Sequence, residues 1–360
     1  MKKRLKPPPK LTISEWADEY RKLSPESSAE PGSWNTSRAE YQRGIMDALS
    51  DPYIETVVVM SSAQVGKTEI LNNAVGYFIS QDPSPMLVVQ PTLDMAQTWS
   101  KDRLAPMLRD TPILSGLVKD PRSRDSGNTT LHKVFPGGHV TACGANSPSS
   151  LASRPVRNVF CDEVDRYPVS AGTEGDPVSL AKKRSATFWN RKILLVSTPT
   201  NKDASRIETA YLESDQRKYY VPCPHCHAEQ PLVWGSVKWE IDKPETAMYC
   251  CSECGGMWDD TQRARAIKRG KWVSVEKTRK IAGFHLSALY SPWTPLEDGV
   301  RDFLEAKKQP ATLRVWVNTF LGETWEESGE QVDDFDLRSE EHTSELQSHL
   351  NLVCRLLLEK

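Results

Sequence analysis

Three absences bound this chain of 360 residues before any motif is read. No apolar run approaches the ~20 residues that a membrane-spanning helix needs. No apolar core of a signal peptide follows the N-terminus. An excess of charge of one sign is also missing, since the net charge is only −2, and overall electrostatics therefore announce no nucleic-acid partner. With 38% hydrophobic and 26% charged residues, the composition is that of a soluble globular protein of two or three domains, expected in the cytoplasm. Positive charge is nonetheless concentrated at one place. Residues 1–10, MKKRLKPPPK, hold five basic residues and no acid, an arm for phosphates or a solvated terminus. Disulfides are not expected either: of eight cysteines, four fall into two Cys-x-x-Cys pairs, which in a cytoplasmic chain points to metal.

A fourth absence is local. Ser61-Ser62-Ala63-Gln64-Val65-Gly66-Lys67-Thr68 follows the apolar run 56–60 and precedes a helical pattern, but lacks the glycine that usually opens a phosphate-binding loop. The position is Ser61. What remains still suits an anion: loop amides and a helix N-terminus facing phosphate, Lys67 reaching the β/γ oxygens, and the Thr68 hydroxyl on Mg²⁺. Ser62 and Gly66 complete the expected cradle.

About 95 residues later, Val156-Arg157-Asn158-Val159-Phe160-Cys161-Asp162-Glu163 reads as an apolar strand ending in two acids. Asp162 at the strand end can hold Mg²⁺ opposite Thr68, and Glu163, one residue on, can polarise an attacking water. Short Val/Ile/Leu-rich runs at 56–60, 86–89, 156–161 and 193–196 alternate with helical segments, which indicates a parallel sheet covered on both faces. The expected fold is therefore α/β: a parallel-sheet P-loop ATPase, RecA-like, of the additional-strand, catalytic-glutamate (ASCE) type.

Further segments fit that plan. The run 194–200, LLVSTPT, ends a strand in Ser197 and Thr198, suited to sensing hydrolysis beside the γ-phosphate. Tyr41-Gln42 either stacks on and hydrogen-bonds adenine or is an ordinary helix-surface pair. Val88-Val89-Gln90-Pro91-Thr92 ends the next strand and is expected to face nucleic acid. Phosphoryl transfer calls for positive charge that water cannot supply, and Arg154, Arg157 and Arg184 are candidates for an arginine finger. Trp272, Trp293, Trp316 and Trp325 are expected in core and inter-domain packing rather than as base-stacking platforms.

The metal signal is the strongest. Cys223-Pro-His-Cys226 and Cys251-Ser-Glu-Cys254-Gly-Gly are two knuckles separated by 24 residues. Four thiolates with such turns suit tetrahedral Zn²⁺, and a closed set of four predicts a structural site. Cys250, His225 and His227 are spare donors. Cys143 and Cys161 are expected to pack as small apolar residues.

Residues 338–360 do not read like the rest. As a pattern they permit an amphipathic helix with Leu346, Leu350, Val353 and Leu357 on one side. RSEEHTSELQSH, however, matches the translation of a common sequencing adapter, and NLVCRLLLEK resembles its continuation. The segment is expected to be an artefactual tail on a sequence whose native part ends near Leu337.

Taken together, SSAQVGKT (61–68), VVQPTLDMAQTW (88–99), SLASRPVRNVFCDEVDRYP (150–168), LLVSTPT (194–200), the CPHC/CSEC pair, GFHLSALYSPW (283–293) and VNTFLGETWEE (317–327) resemble the large terminase subunits of lambda-like tailed phages. The resemblance spans about 12 to 337 and implies an ATP-driven motor that moves double-stranded DNA into a procapsid in the host cytoplasm. It also implies a capsid portal and a small terminase subunit as partners, a homo-oligomeric working motor, and a C-terminal metal-dependent endonuclease. Five regions are expected: an N-terminal arm and helices (1–45) for small-subunit contact, the ATPase domain (46–212), a zinc-ribbon-like module (213–260), a helical linker (261–337) toward a nuclease domain lying beyond Leu337, and the tail (338–360). Two other readings compete. A superfamily-2 helicase would need a second RecA-like domain, and a zinc-ribbon DNA-binding adaptor would have an inactive ATP site.

Overall fold

The computed structural model describes residues 10–118, 127–152, 154–277 and 280–326; the adapter-like segment at 338–360 lies outside them. The chain opens with α1 (Ile13–Tyr20), whose first turn is closed by a capping box between Thr12 and Glu15. A short ribbon of β1 (Lys22–Leu23) and β2 (Gly32–Ser33) leads to α2 (Tyr41–Ser50). Residues 10–45 form no separate unit. Trp16 is fully buried and donates from Nε1 to Ser80 Oγ, while Arg21 pairs with Glu69 at 3.0 Å, so this region clamps the helix that follows the phosphate loop.

That helix is α3 (Lys67–Ser80), preceded by β3 (Thr56–Ser61) and followed by β4 (Met86–Gln90), α4 (Leu93–Trp99) and α5 (Ala105–Asp110). An edge hairpin of β5 (His132–Phe135) and β6 (Gly138–Gly144) leads through α6 (Pro148–Ala152) to β7 (Asn158–Asp162). Then come α7 (Pro177–Lys183), β8 (Lys192–Ser197) and α8 (Arg206–Leu212). In β3, Val57 and Val59 join one apolar core while Val58 and Met60 join the other. A strand buried on both faces needs apolar residues at every position, which is why these segments read as continuous runs.

The strand order β3-β8-β7-β4-β6 is parallel throughout. It sets β8 between the phosphate-loop strand and the Asp162 strand, the additional-strand arrangement expected from the sequence.

The sheet does not stop at 212. β9 (Arg217–Pro222) extends it, and β10 (Glu229–Pro231) pairs antiparallel with β9. A separate three-stranded sheet of β11 (Val237–Glu240), β12 (Lys243–Cys250) and β13 (Met257–Trp258) forms the small module. After α9 (Asp260–Ile267) and β14 (Lys271–Val273), β15 (Ile281–Leu286) runs parallel between β3 and β9. The expected helical linker is thus corrected: α10 (Leu296–Ala306) and α11 (Pro310–Trp316) are helices, but 281–286 is an interior strand of the main sheet. Its Gly283 and His285 hide the pattern; a Cβ at 283 would lie 1.8 Å from Ser214 Oγ, so close packing against α8's exit forces glycine there. Trp234, Trp316, Phe303 and Phe320 bind the small module to α10 and α11, with Trp316 and Phe320 stacked at 4.9 Å. Of the four late tryptophans, Trp316 is buried and Trp293 is 43% exposed.

Candidate functional site

Because β15, β3, β8 and β7 are parallel neighbours, their carboxyl ends meet on one edge of the sheet, where ligands of such sheets bind. Ser61 is still part of β3, extended and paired with Leu286. A position in regular strand needs no glycine, which accounts for the deviation in the loop pattern. The turn is made further on, at Gln64 (φ 58°) and Gly66 (φ 82°), and α3 begins at Lys67. Among the described residues, no protein group accepts from the amides of Gly66, Lys67 and Thr68. They form a nest at the N-terminus of a 14-residue helix, a built site for an anion.

Tyr41 and Gln42 stand behind this loop rather than across from it. Both are buried; the Tyr41 hydroxyl donates to the Val65 carbonyl at 3.1 Å and Gln42 Nε2 to the same oxygen at 3.0 Å. Gly66 is required partly for this reason, since a Cβ there would fall 2.3 Å from Gln42 Nε2. The expected adenine contact is therefore corrected. Tyr41 is fully buried and packs T-shaped with Tyr219 at 6.3 Å between ring centres, so its ring is not exposed to a base, and the pair braces the loop instead.

Asp162 closes β7 and is 5% exposed. Gln90 Nε2 donates to its Oδ2 at 3.2 Å, so Gln90 serves the acid. Burial first, and the neighbouring Glu163 charge second, push the Asp162 carboxyl up to about 6. Glu163 leaves the strand in the left-handed region (φ 55°), an uncommon backbone for a non-glycine residue. That turn brings Oε1 to 3.1 Å from Lys67 Nζ, and the same ammonium donates to the Thr198 hydroxyl. Loop lysine, catalytic-glutamate candidate and β8 hydroxyl are thus joined by one group.

The sequence reading missed Asp165, which bolts this region together. Its amide donates to Ser197 Oγ at 3.2 Å, and its carboxylate accepts from Thr200 N, Thr200 Oγ1 and Ile207 N. Arg206 caps the Tyr167 and Pro168 carbonyls from the other side. Only the turn following Glu163 makes these contacts possible, and no sequence spacing advertises it. Arg166, also missed, lies 3.7 Å from Glu163 Oε2.

The three finger candidates separate. Arg157 sits at the opposite end of β7, paired with Asp82. Arg184 donates to the Ala152 carbonyl at 2.9 Å, within its own fold. Neither reaches the site. Arg154 is exposed beside the edge hairpin, 3.3 Å from His132 Nε2, with no carboxylate in ion-pair range among the described residues.

Cys223, Cys226, Cys251 and Cys254 come together with all four Sγ atoms within 4.8 Å of one another. Cys223 follows β9 and Cys251 follows β12, so the cluster pins the small module to the edge of the main sheet. Burial raises the Cys251 thiol, yet hydrogen bonds from the Cys254 and Glu253 amides and from Gln230 Nε2 (3.0 Å) prevail and bring it down to about 6. Cys250, His225 and His227 are outside the set. Cys143 and Cys161 are buried, and burial pushes both thiols up to about 12.

A sequence model of the phage terminase large subunit gpA, ATPase domain, matches residues 28–272. The chain belongs to this terminase family. The model of the gpA endonuclease domain matches residues 281–349, so the stretch read as a linker carries the opening part of that match, including β15. The terminase large subunit of Enterobacteria phage P21 is 33% identical, covering 91% of this chain and 54% of the relative. That of Escherichia phage lambda is 31% identical, covering 91% and 55%. The chain spans about half the length of the curated relatives it matches. Among solved structures, the large terminase ATPase domain of Thermus phage P74-26 is similar with a TM-score of 0.45 and 13% identity, covering 81% of this chain and 97% of that one. No helix among the described residues of this terminase chain is long and apolar enough to cross a membrane.

Proposed function

We propose that this terminase chain is the ATP-hydrolysing part of a DNA-packaging motor subunit that drives double-stranded DNA into a procapsid. One observation carries the reading: the amide nest of 66–68, Lys67, Asp162, Glu163 and the Thr198 strand end converge at one edge of the sheet. The site fits a phosphate chain with a divalent cation. Asp162 Oδ1 and Ser62 Oγ are buried polar atoms without a protein partner, as expected of groups reserved for a ligand.

ATP would be held by the loop amides and by Lys67, with Thr68 and Asp162 holding Mg²⁺. The ion would neutralise charge on the β- and γ-phosphates. Lys67 now pins Glu163 at 3.1 Å, so one carboxylate oxygen is occupied by the ammonium. A lysine that turns to phosphate releases Glu163 to accept a proton from the attacking water. Ser197 and Thr198 carry the change along β8, with Asp165 keeping that strand end in register with Glu163. Arg154, exposed and free of carboxylates, is assigned as the finger offered to a neighbouring subunit of a homo-oligomeric motor.

The small terminase subunit and the capsid portal are the further partners proposed, in the host cytoplasm. The endonuclease activity proposed for the longer protein is not assigned to the described part of 281–326. Among the described residues, the cysteine cluster is the sole group of three or more His, Cys, Asp or Glu side chains close enough to share a metal. For that cluster we propose structural Zn²⁺, for which four converging thiols with amide and Gln230 hydrogen bonds are suited.

DNA-stimulated ATP turnover tests the motor. Lys67→Ala and Glu163→Gln are expected to lower kcat by at least about 100-fold. Unchanged turnover in both variants would favour an adaptor with a silent ATP site. Zinc content should be one per chain and fall in the Cys223→Ser/Cys251→Ser double variant, with loss of the small module's protection from protease; undiminished metal would overturn that assignment.

A further inference from the structure

The phosphate loop and the end of β8 are not free loops. A segment from the far end of the described chain, 318–326, crosses both. The Ala63 amide donates to the Thr319 carbonyl at 2.8 Å, directly inside the loop. Ser62 N–H donates to Leu286 O at 2.8 Å, and His285 Nε2 lies 3.1 Å from the Gly322 carbonyl, which it can reach only as a donor. Gly322 (φ 68°) presses against this backbone so closely that a Cβ would meet Ser62 N at 2.6 Å and Leu286 O at 2.7 Å.

A few residues away the same segment grips β8's exit. Asn318 Nδ2 donates to the Thr200 carbonyl at 2.9 Å and to Glu323 O at 2.8 Å. The Trp325 amide donates to Thr200 O at 3.0 Å, and Lys202 N–H returns to Trp325 O at 2.9 Å, a one-rung parallel bridge. Thr200 is also the residue whose amide and hydroxyl are held by Asp165, three positions from Asp162.

We infer that Asn318 and Gly322 are positioning residues of the nucleotide site, tying the phosphate loop and the Ser197–Thr198 strand end into one body that moves with the chain at 318–326. This rests on the ATPase reading above. Physically, a shift of the loop toward phosphate pulls Thr319 through Ala63, and a shift of β8's end pulls Asn318 and Trp325 through Thr200. Linkage makes the relation reciprocal for binding: where nucleotide shifts 318–326, restraining 318–326 changes nucleotide affinity.

The side chain of Asn318 spends both its amide hydrogens on carbonyls, so an isosteric acid there turns two donors into acceptors facing acceptors. Asn318→Asp is expected to lower kcat for ATP by about tenfold with KM changed less than about threefold. Gly322→Ala, which displaces the loop, should instead raise KM. Val315→Ala, on the exposed side of α11, is the control expected to leave both constants unchanged. The second measurement uses the unmodified chain: hydrogen exchange with and without ATP and Mg²⁺. Slowed exchange in peptides 317–326 and 199–203 together with the loop peptide supports the inference, and loss of the first two effects in Asn318→Asp completes it. Slowing confined to the loop peptide, or unchanged kinetic constants in a folded Asn318→Asp, overturns it. If the variant melts, exchange in the unmodified chain decides alone. A chain that neither slows anywhere nor turns over ATP refutes the ATPase reading itself, a separate outcome.

Discussion

The two ends of the same parallel strands are built by opposite rules. At the carboxyl end, Gln64, Gly66 and Glu163 occupy left-handed backbone, Asp162 is buried with one oxygen unpartnered, and a single ammonium serves both Glu163 and Thr198. At the amino end, charge is saturated. Arg157 forks onto Asp82, Arg191 pairs with Glu55 at 2.8 Å, and buried Lys192 donates to the carbonyls of Asp51 and Ile54. Burial lowers Lys192 to about 8, opposed by the nearby charges of Asp51, Asp82 and Glu55. Around the proposed site the sheet thus has left-handed backbone and an unpartnered carboxylate oxygen, whereas the charged groups of Arg157, Arg191 and Lys192 at the amino end are paired.

The sharpest break of that comparison is Asp162→Asn. It should cost ATP turnover about 100-fold or more, since a neutral amide holds a cation poorly, while making the chain more stable. The sign follows from the direction of the shift. The folded carboxyl is raised to about 6, above its ordinary range, so the native state binds this proton more tightly than the unfolded chain. The group therefore costs nothing in acid, and its penalty grows as pH rises through the ordinary carboxylate range to about 6, where it levels off. The variant should gain on the order of 1–3 kcal/mol at pH 8 and nothing below about pH 4. Denaturant melts at the two pH values, with chelator present, check this. Equal stability at pH 8 would mean that the acid is no burden, and the proposed asymmetry between the ends would fail.

How much of this was legible beforehand follows the same division. The runs at 56–60, 86–89, 156–161 and 193–196 announced four parallel strands because burial on both faces leaves no polar position to blur them. Lys67, Thr68, Asp162, Glu163, Ser197 and Thr198 were legible as strand ends and a helix start. The fifth central strand, β15, was not, because Gly283 and His285 answer to neighbours that no local pattern contains: Ser214 in one case, Gly322 in the other. Tyr41 and Gln42 were found but turned the wrong way. Their partner is the Val65 carbonyl behind the loop, and spacing along the chain cannot say which side of a loop a side chain approaches. Asp165 and Asn318 escaped for a related reason, since both act on backbone groups of Thr200 brought close only by the parallel order.

A smaller effect tests the amino end. Arg157 is 11% exposed in its side chain, donates to both Asp82 oxygens, and lays its guanidinium 5.3 Å from the Phe78 ring centre. Phe78 belongs to α3, so this contact ties the foot of the phosphate-loop helix to the foot of β7. Arg157→Ala removes a bidentate ion pair and a ring contact but strands no buried charge, because Asp82 is half-exposed and can be hydrated. The expected loss is about 1–2 kcal/mol of unfolding free energy, with kcat and KM for ATP within about twofold of the unmodified chain. Arg157→Lys should recover less than half, since an ammonium cannot reproduce the fork. A tenfold fall in kcat without a change in melting would show instead that the amino end takes part in turnover, and the division between the two ends of the sheet would be lost.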